Sequence, residues 1–330
     1  MKAAVHAEYG PPDVVQIADV EKPVPKDDEV LIKVHAASIN PYDWHFMRGV
    51  PQLMRLIAGL RKPRDTRLGA DVAGQVDAVG TGVTRFKPGD AVFGIGKGTL
   101  AEYVCAPQSA LATKPGNTTF EQAAAAGIAA LTALQALRDE GRIQAGQKVL
   151  INGAAGGVGT FAVQIAKAFG AEVTGVCSTR NVELATSIGA DHVIDYTRED
   201  FTKGGRRYDL IVDCVGNHSL PALTRALAPR GTYVGAGGGG IRPEDFSGAS
   251  WMASFLGRSI TQLVLQLFGR HKLTGILARR STEDLEVLRD LMAAGKVSPV
   301  IDRRYSLTEA REAIRYLEQG HARGKVVISP

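Results

Sequence analysis

Two clusters in the 330-residue chain have residue types and spacing suited to chemistry. The first is Ala154-x-Gly156-x-x-Gly159. A short apolar run (Val149, Leu150, Ile151) precedes it, and Val158, Phe161, Ala162, Ile165 and Phe169 recur after it at helical spacing. Strand, small-residue turn and helix in that order make a dinucleotide fingerprint, here with Ala at the first glycine position. Gly156 lets the backbone close on a pyrophosphate, Gly159 lets helix and strand pack closely, and the helix start at Gly157 and Val158 supplies N–H donors to the anion. The second cluster is an excursion over residues 41–67, rich in aromatic and basic side chains (Tyr42, Trp44, His45, Phe46, Arg48, Arg55, Arg61, Arg64) and read as an irregular loop. Loops on a rigid scaffold often carry function, whereas a surface excursion with a few tucked aromatics is the plainer reading.

The elements that must position these clusters follow from periodicity. Strands at 172–177, 192–195, 209–213 and 231–235 alternate with helical segments after the glycine loop, which argues for a doubly wound parallel sheet. Before it, short strands at 2–6, 14–18, 29–37, 72–79, 91–94 and 101–105, separated by Gly/Pro turns, predict a small barrel or folded-over sheet. Composition shifts near Pro115 into an alanine-rich helical stretch, 119–137. Residues 238–272 are apolar at roughly helical spacing and read either as a lid over a pocket or as a buried or dimer-facing helix. An edge strand is expected at 273–277, a helix capped by Ser281, a second helix opening at Ser306 with Glu309 in its capping box, and a last strand at 325–328. The expected domains are 1–121 with 296–330, and 122–295.

Composition narrows the class. Hydrophobic content of 45% and charged content of 22% are those of a soluble globular protein. The net charge of +5 is scattered rather than clustered, so no nucleic-acid partner is expected. Cys105, Cys177 and Cys214 show neither metal-ligand nor disulfide spacing, which suits a cytoplasmic protein. The first residues read directly as a strand, without the apolar core of a signal peptide, and no apolar run reaches membrane-spanning length.

Ser38-Ile39-Asn40-Pro41-Tyr42-Asp43, Gly69-Ala70-Asp71-Val72-Ala73-Gly74, residues 86–94, Ala101-Glu102-Tyr103-Val104, residues 154–159 and 191–196, and Gly324-Lys325-Val326 together resemble the medium-chain dehydrogenase/reductase superfamily, most closely its zinc-free quinone reductase branch. The resemblance implies an α/β protein: a Rossmann doubly wound sheet plus a GroES-like β-rich catalytic domain, with the active site in the cleft between them. Zinc-dependent relatives place a cysteine where this chain has Asn40 and a His-Glu pair where it has Ala70-Asp71, so no metal is expected. His45 alone cannot form a metal site.

The second Rossmann strand ends at Cys177, and Ser178-Thr179-Arg180-Asn181 follows. An NAD-specific fold carries an acid about 20 residues past the glycine loop. Here two hydroxyls and a guanidinium are available to bind a phosphate, and no carboxylate in the stretch repels one, so NADPH is expected. The alternative for Arg180 is a solvated charge. By resemblance, Tyr196 flanks the adenosine phosphate and Thr132 lies near the nicotinamide carboxamide. Gly216 and Lys325 complete the expected cofactor-binding set.

A nicotinamide site implies hydride transfer. Without a Lewis acid to stabilise an alkoxide, electron-poor acceptors become the natural substrates: quinones, or carbonyls conjugated to an alkene. Asn40 is the expected orienting amide donor and Tyr42 the donor to the developing oxyanion, with water as the alternative proton source. Asp43 completes the expected catalytic set, and by resemblance it is expected to fix the loop rather than react. The competing readings are a 2-alkenal or enone reductase and a non-catalytic NADPH-binding regulatory protein. A homodimer without stable membrane insertion is expected.

Overall fold

β-Branched and aliphatic residues dominate the segments that become strands, and alternation or full burial sets which face each one hides. The computed structural model describes residues 1–236 and 271–330. In chain order the strands are β1 (Lys2–Val5), β2 (Gln16–Asp19), β3 (Glu29–Ile39), β4 (Asp71–Val79), β5 (Ala91–Ile95), β6 (Tyr103–Pro107) and β7 (Leu111–Thr113). They continue as β8 (Lys148–Asn152), β9 (Glu172–Cys177), β10 (His192–Asp195), β11 (Tyr208–Asp213), β12 (Leu227–Gly235), β13 (Lys272–Gly275), β14 (Ile301–Ser306) and β15 (Lys325–Ser329).

The described residues divide into two units, Met1–Leu131 with Arg279–Pro330, and Thr132–Ala278. In the first, β3 is the hub. Its side chains Val30, Ile32, Ala36, Ala37 and Ile39 are buried, and β4 pairs antiparallel along one edge. β6 and β15 share the other edge, β6 along Glu29 to Lys33 and β15 along Ala37 to Ile39. One long strand serving successive partners makes the folded-over sheet, ordered β14-β15-β3-β4-β5-β7. The same pairing brings together the end of β3, the start of β4 and the start of β15: Ser38 faces Asp71, and Ile39 faces Val326.

The unit boundaries differ from the expected 121/122 and 295/296. The Phe120–Ala125 helix packs on β3 and β4, because Ala123, Ala124 and Ala125 carry no bulk to hold it away. The Thr282–Ala293 helix packs on β7, with Arg85 paired to Glu286 at 2.6 Å and Asn117 donating to Met292 O at 3.1 Å. Its start is capped as expected, Ser281 Oγ accepting from Asp284 N.

A larger correction concerns residues 41–67. Pro41–Arg48 is a helix rather than irregular chain. Asn40 precedes it in extended conformation, Pro41 sits where its missing N–H costs nothing, Asp43 accepts from Asn40 N at 2.7 Å, and Gly49 ends it at φ 61°. Arg48 makes a two-point bond to Glu318, tying this helix to the Ala310–Glu318 helix.

The second unit is the doubly wound sheet. Its order is β10-β9-β8-β11-β12-β13, and every pairing is parallel. Leu150, Val176, Ile194, Tyr208, Ile211, Leu223 and Leu273 belong to one core cluster. The order reverses between β8 and β11, so their carboxyl ends flank the crevice where such sheets bind ligands. β13 lies at the edge, close to the expected 273–277. The lid or dimer helix expected over residues 238–272 falls, through residue 270, outside the described residues.

Packing at the glycine turn is severe. A Cβ on Gly159 would lie 2.0 Å from Gly153 O. Gly159→Ala is therefore expected to cost roughly 1–3 kcal/mol through overpacking, checked as a lowered thermal midpoint together with weakened nucleotide binding.

Candidate active site

The residues of the glycine-loop cluster lie in the second unit. After β8, Gly153 adopts φ 87°, and the N–H groups of Gly153 and Ala154 both donate to Val176 O. The turn therefore needs its left-handed residue one position ahead of the fingerprint, which explains how Ala154 can stand at the first glycine place. Gly156 caps the Gly157–Ala168 helix, whose first-turn N–H groups, including those of Gly157 and Val158, have no partner within the helix. Thr132 is buried in the Ile128–Gln135 helix.

At the end of β11, buried Asp213 holds the next turn. Its Oδ1 accepts from Asn152 Nδ2 (2.9 Å), Val215 N (3.0 Å) and Gly216 N (2.9 Å), and its Oδ2 accepts from Tyr233 OH (3.1 Å). Gly216 sits exposed at φ 75°, the conformation this clamp requires. Motif reading overlooked both Asp213 and Gly153.

At the ends of β9 and β10, Arg180 and Tyr196 are exposed, and Ser178 Oγ accepts from Asn181 Nδ2 at 3.2 Å. The expectation of no nearby carboxylate needs correcting. Asp195 lies opposite Cys177 in the β9–β10 register and accepts from Thr179 Oγ1 at 2.6 Å. The acid comes from the adjacent strand, so a reading confined to residues 178–181 misses it. Thr179, then Thr197, hold its carboxyl below the ordinary range.

A separate group of candidate residues lies in the first unit. Asp71 Oδ2 accepts from Ser38 Oγ (2.7 Å), Asn40 Nδ2 (2.8 Å) and Lys325 Nζ (3.3 Å), and Asp71 Oδ1 accepts from Ile128 N (2.8 Å). Lys325 Nζ also donates to Asn40 Oδ1 and Ile39 O. All four side chains are buried. The ammonium of Lys325, a member of the expected cofactor-binding set, faces three protein acceptors. The Asn40 amide is oriented by Lys325 and Asp71, and one Nδ2–H is not used by either.

Asp43 is buried, and burial first, with Asp71 nearby, pushes its carboxyl up to about 7. Its Oδ2 accepts from Asn40 N at the helix start, while Oδ1 has no partner. Tyr42 is 41% exposed and its ring lies against Phe46. Partial burial, then Asp43, raises its pKa, which keeps the phenol protonated. His45 stacks on Trp44 and bonds Val50 O, and burial lowers its pKa.

With this geometry in place, comparison with known proteins is direct. Residues 26–116 match the alcohol dehydrogenase GroES-like domain, and residues 188–328 match the zinc-binding dehydrogenase family. A chloroplast envelope quinone oxidoreductase homolog of Arabidopsis thaliana is 34% identical over 94% of this chain and 92% of its own. A 2-methylene-furan-3-one reductase of Solanum lycopersicum is 34% identical over 100% of this chain and 79% of its own. The Escherichia coli quinone oxidoreductase, solved in complex with NADPH, superposes with TM-score 0.83 at 26% identity, covering 100% of both chains. The chain belongs to the medium-chain dehydrogenase/reductase superfamily, in its quinone-oxidoreductase-like branch.

The second family description names zinc, and the residues present do not fit that ion. The carboxylate of Asp71 is already engaged by four donors, and an ammonium stands 3.3 Å from it where a second cation would have to enter. Among the described residues no group of three His, Cys, Asp or Glu side chains could hold a metal.

Two outcomes follow from the buried charges. Lys325→Met leaves Asp71 uncompensated and is expected to cost about 3–5 kcal/mol, while Lys325→Met/Asp71→Asn recovers most of it, measured by chemical denaturation. Asp43 binds its proton more tightly folded than at its ordinary 3.8, so its stabilising contribution is full below about pH 4 and fades as pH rises through 7. Asp43→Asn should flatten that part of the stability–pH curve, whereas an unchanged slope over that window would refute the assignment.

Proposed function

We propose that the protein is a zinc-independent, NADPH-dependent oxidoreductase that passes hydride to a quinone or another conjugated carbonyl acceptor. The observation that carries this reading is the Lys325 ammonium lodged between Asn40 and Asp71. A fixed protein cation fills the place from which an ion would polarise an alcohol, so the acceptor must bring its own electron deficiency. When bound, NADPH supplies a hydride from its nicotinamide.

The chain's residues do the rest. The helix start at Gly157 would take the pyrophosphate, and Ser178, Arg180 and Tyr196 would serve the extra phosphate. Asn40 offers its remaining amide hydrogen as an orienting donor. Tyr42, kept protonated, donates to the oxyanion that forms as hydride arrives. The tomato relative, named for a conjugated furanone, supports enone reduction as the second reading.

No helix among the described residues is long and apolar enough to cross a membrane. The exposed Leu277 just past edge strand β13 supports a homodimer. Cys105, Cys177 and Cys214 are free thiols, and burial pushes the first two up to about 11. Three cysteines without a disulfide suit a reducing compartment, and we propose the cytoplasm.

The test is NADPH consumption with p-benzoquinone, phenanthrenequinone and hexenal in parallel. Turnover on the quinones is expected. Arg180→Ala should weaken NADPH by roughly 1–3 kcal/mol and leave NADH nearly unchanged. Tight NADPH binding without turnover on any acceptor would replace this reading with a non-catalytic nucleotide-binding role. Unchanged turnover in Tyr42→Phe would assign the proton to water.

A further inference from the structure

The 178–180 turn follows β9, the strand end where a doubly wound sheet reads the adenosine ribose and any phosphate on it. Two hydroxyls in the sequence, Ser178 and Thr179, look equally able to donate to that phosphate. The hydrogen bonds separate them. Ser178 Oγ accepts from Asn181 Nδ2, which leaves its own proton to donate. Thr179 gives its proton to Asp195 Oδ2 at 2.6 Å.

Asp195 is engaged on its other side as well. Its Oδ1 accepts from Thr197 N at 3.0 Å and Thr197 Oγ1 at 2.8 Å, and the two threonine hydroxyl oxygens stand 3.0 Å apart. The bonds to Thr197 span two residues and form an ordinary local turn. The bond to Thr179 spans 16 residues and joins the loop after β9 to the end of β10. A second bond, Tyr196 N to Cys177 O at 3.0 Å, joins the same two strand ends. Tyr196 and Arg180, the side chains read as phosphate neighbours, are therefore carried on two loops that Asp195 links.

A carboxylate beside a phosphate site is unfavourable when its oxygens are unsatisfied. Here three donors engage it, and Arg198 contributes an opposing charge. We propose that Thr179 and Asp195 form a positioning pair for coenzyme selectivity. They hold Ser178, Arg180 and Tyr196 in the arrangement that recognises the extra phosphate of NADPH, and neither contacts the phosphate itself. This rests on the NADPH reading above.

The experiment is direct binding of NADPH and of NADH, by calorimetry or nucleotide fluorescence. It compares the unaltered protein with Asp195→Ala, Thr179→Val, Thr179→Ser and Thr179→Val/Asp195→Ala, with thermal midpoints recorded for each. Asp195→Ala and Thr179→Val are each expected to weaken NADPH about tenfold, the scale of one charge-assisted hydrogen bond. NADH should stay within about twofold, the double variant should be no worse than either single one, and Thr179→Ser should restore NADPH binding. Equal losses for both nucleotides would make the pair merely structural and overturn the proposal. So would additive losses in the double variant, or a Thr179→Ser as weak as Thr179→Val. If the unaltered protein holds NADPH no more tightly than NADH, the underlying coenzyme reading fails first, which that measurement shows before any variant is compared.

Discussion

A buried ammonium cannot remain in a protein interior without acceptors to meet it, and this requirement governs the first unit. Lys325 enters with β15, and its charge is met by Asp71 from β4, by the Asn40 amide past the end of β3, and by Ile39 O. Desolvation of two ions is offset only when geometry is good and the remaining lone pairs are satisfied. Ser38 Oγ and Ile128 N satisfy the rest of Asp71. Sheet register, the orientation of Asn40 and the start of the Pro41–Arg48 helix are thus parts of one electrostatic solution. The oxidoreductase chemistry proposed for the chain is built on this arrangement of Lys325, Asp71 and Asn40.

The second unit solves a different problem, that of presenting backbone donors to an anion without side chains in the way. Gly153 turns the chain, Gly159 allows the helix to approach, and Gly216 is held open by Asp213. These positions lie at the carboxyl ends of β8 and β11, where the sheet order reverses. Buried side-chain bonds behind the turns, such as Asn152 to Asp213, keep the strand ends aligned.

Local patterns were readable from sequence wherever the cause is local. The glycine spacing, the Ser281 cap and the alternation of strands with helices each involve neighbours within a few residues, and each has its counterpart in the fold. The Pro41–Arg48 helix also carried local signals, with Pro at its start, Asp43 three residues past Asn40 and Gly49 at its end. Its aromatic and basic residues mask those signals, because they break the apolar periodicity that marks a helix. Other features could not be read this way. Asp71 and Lys325 are 254 positions apart, and Asp195 reaches Thr179 only because β9 and β10 lie side by side. The unit boundaries moved because alanine-rich and capped helices look alike in sequence whichever sheet they cover.

The separation of Asp71 from Lys325 also sets an order of events. As the chain emerges from the ribosome, β3 and β4 are complete long before β15 exists, so Asp71 must wait for its counter-charge. Ordering of Asn40 is then a late step in biogenesis, and until the last strand docks the nascent first unit exposes the open edge of β3 that β15 will cover.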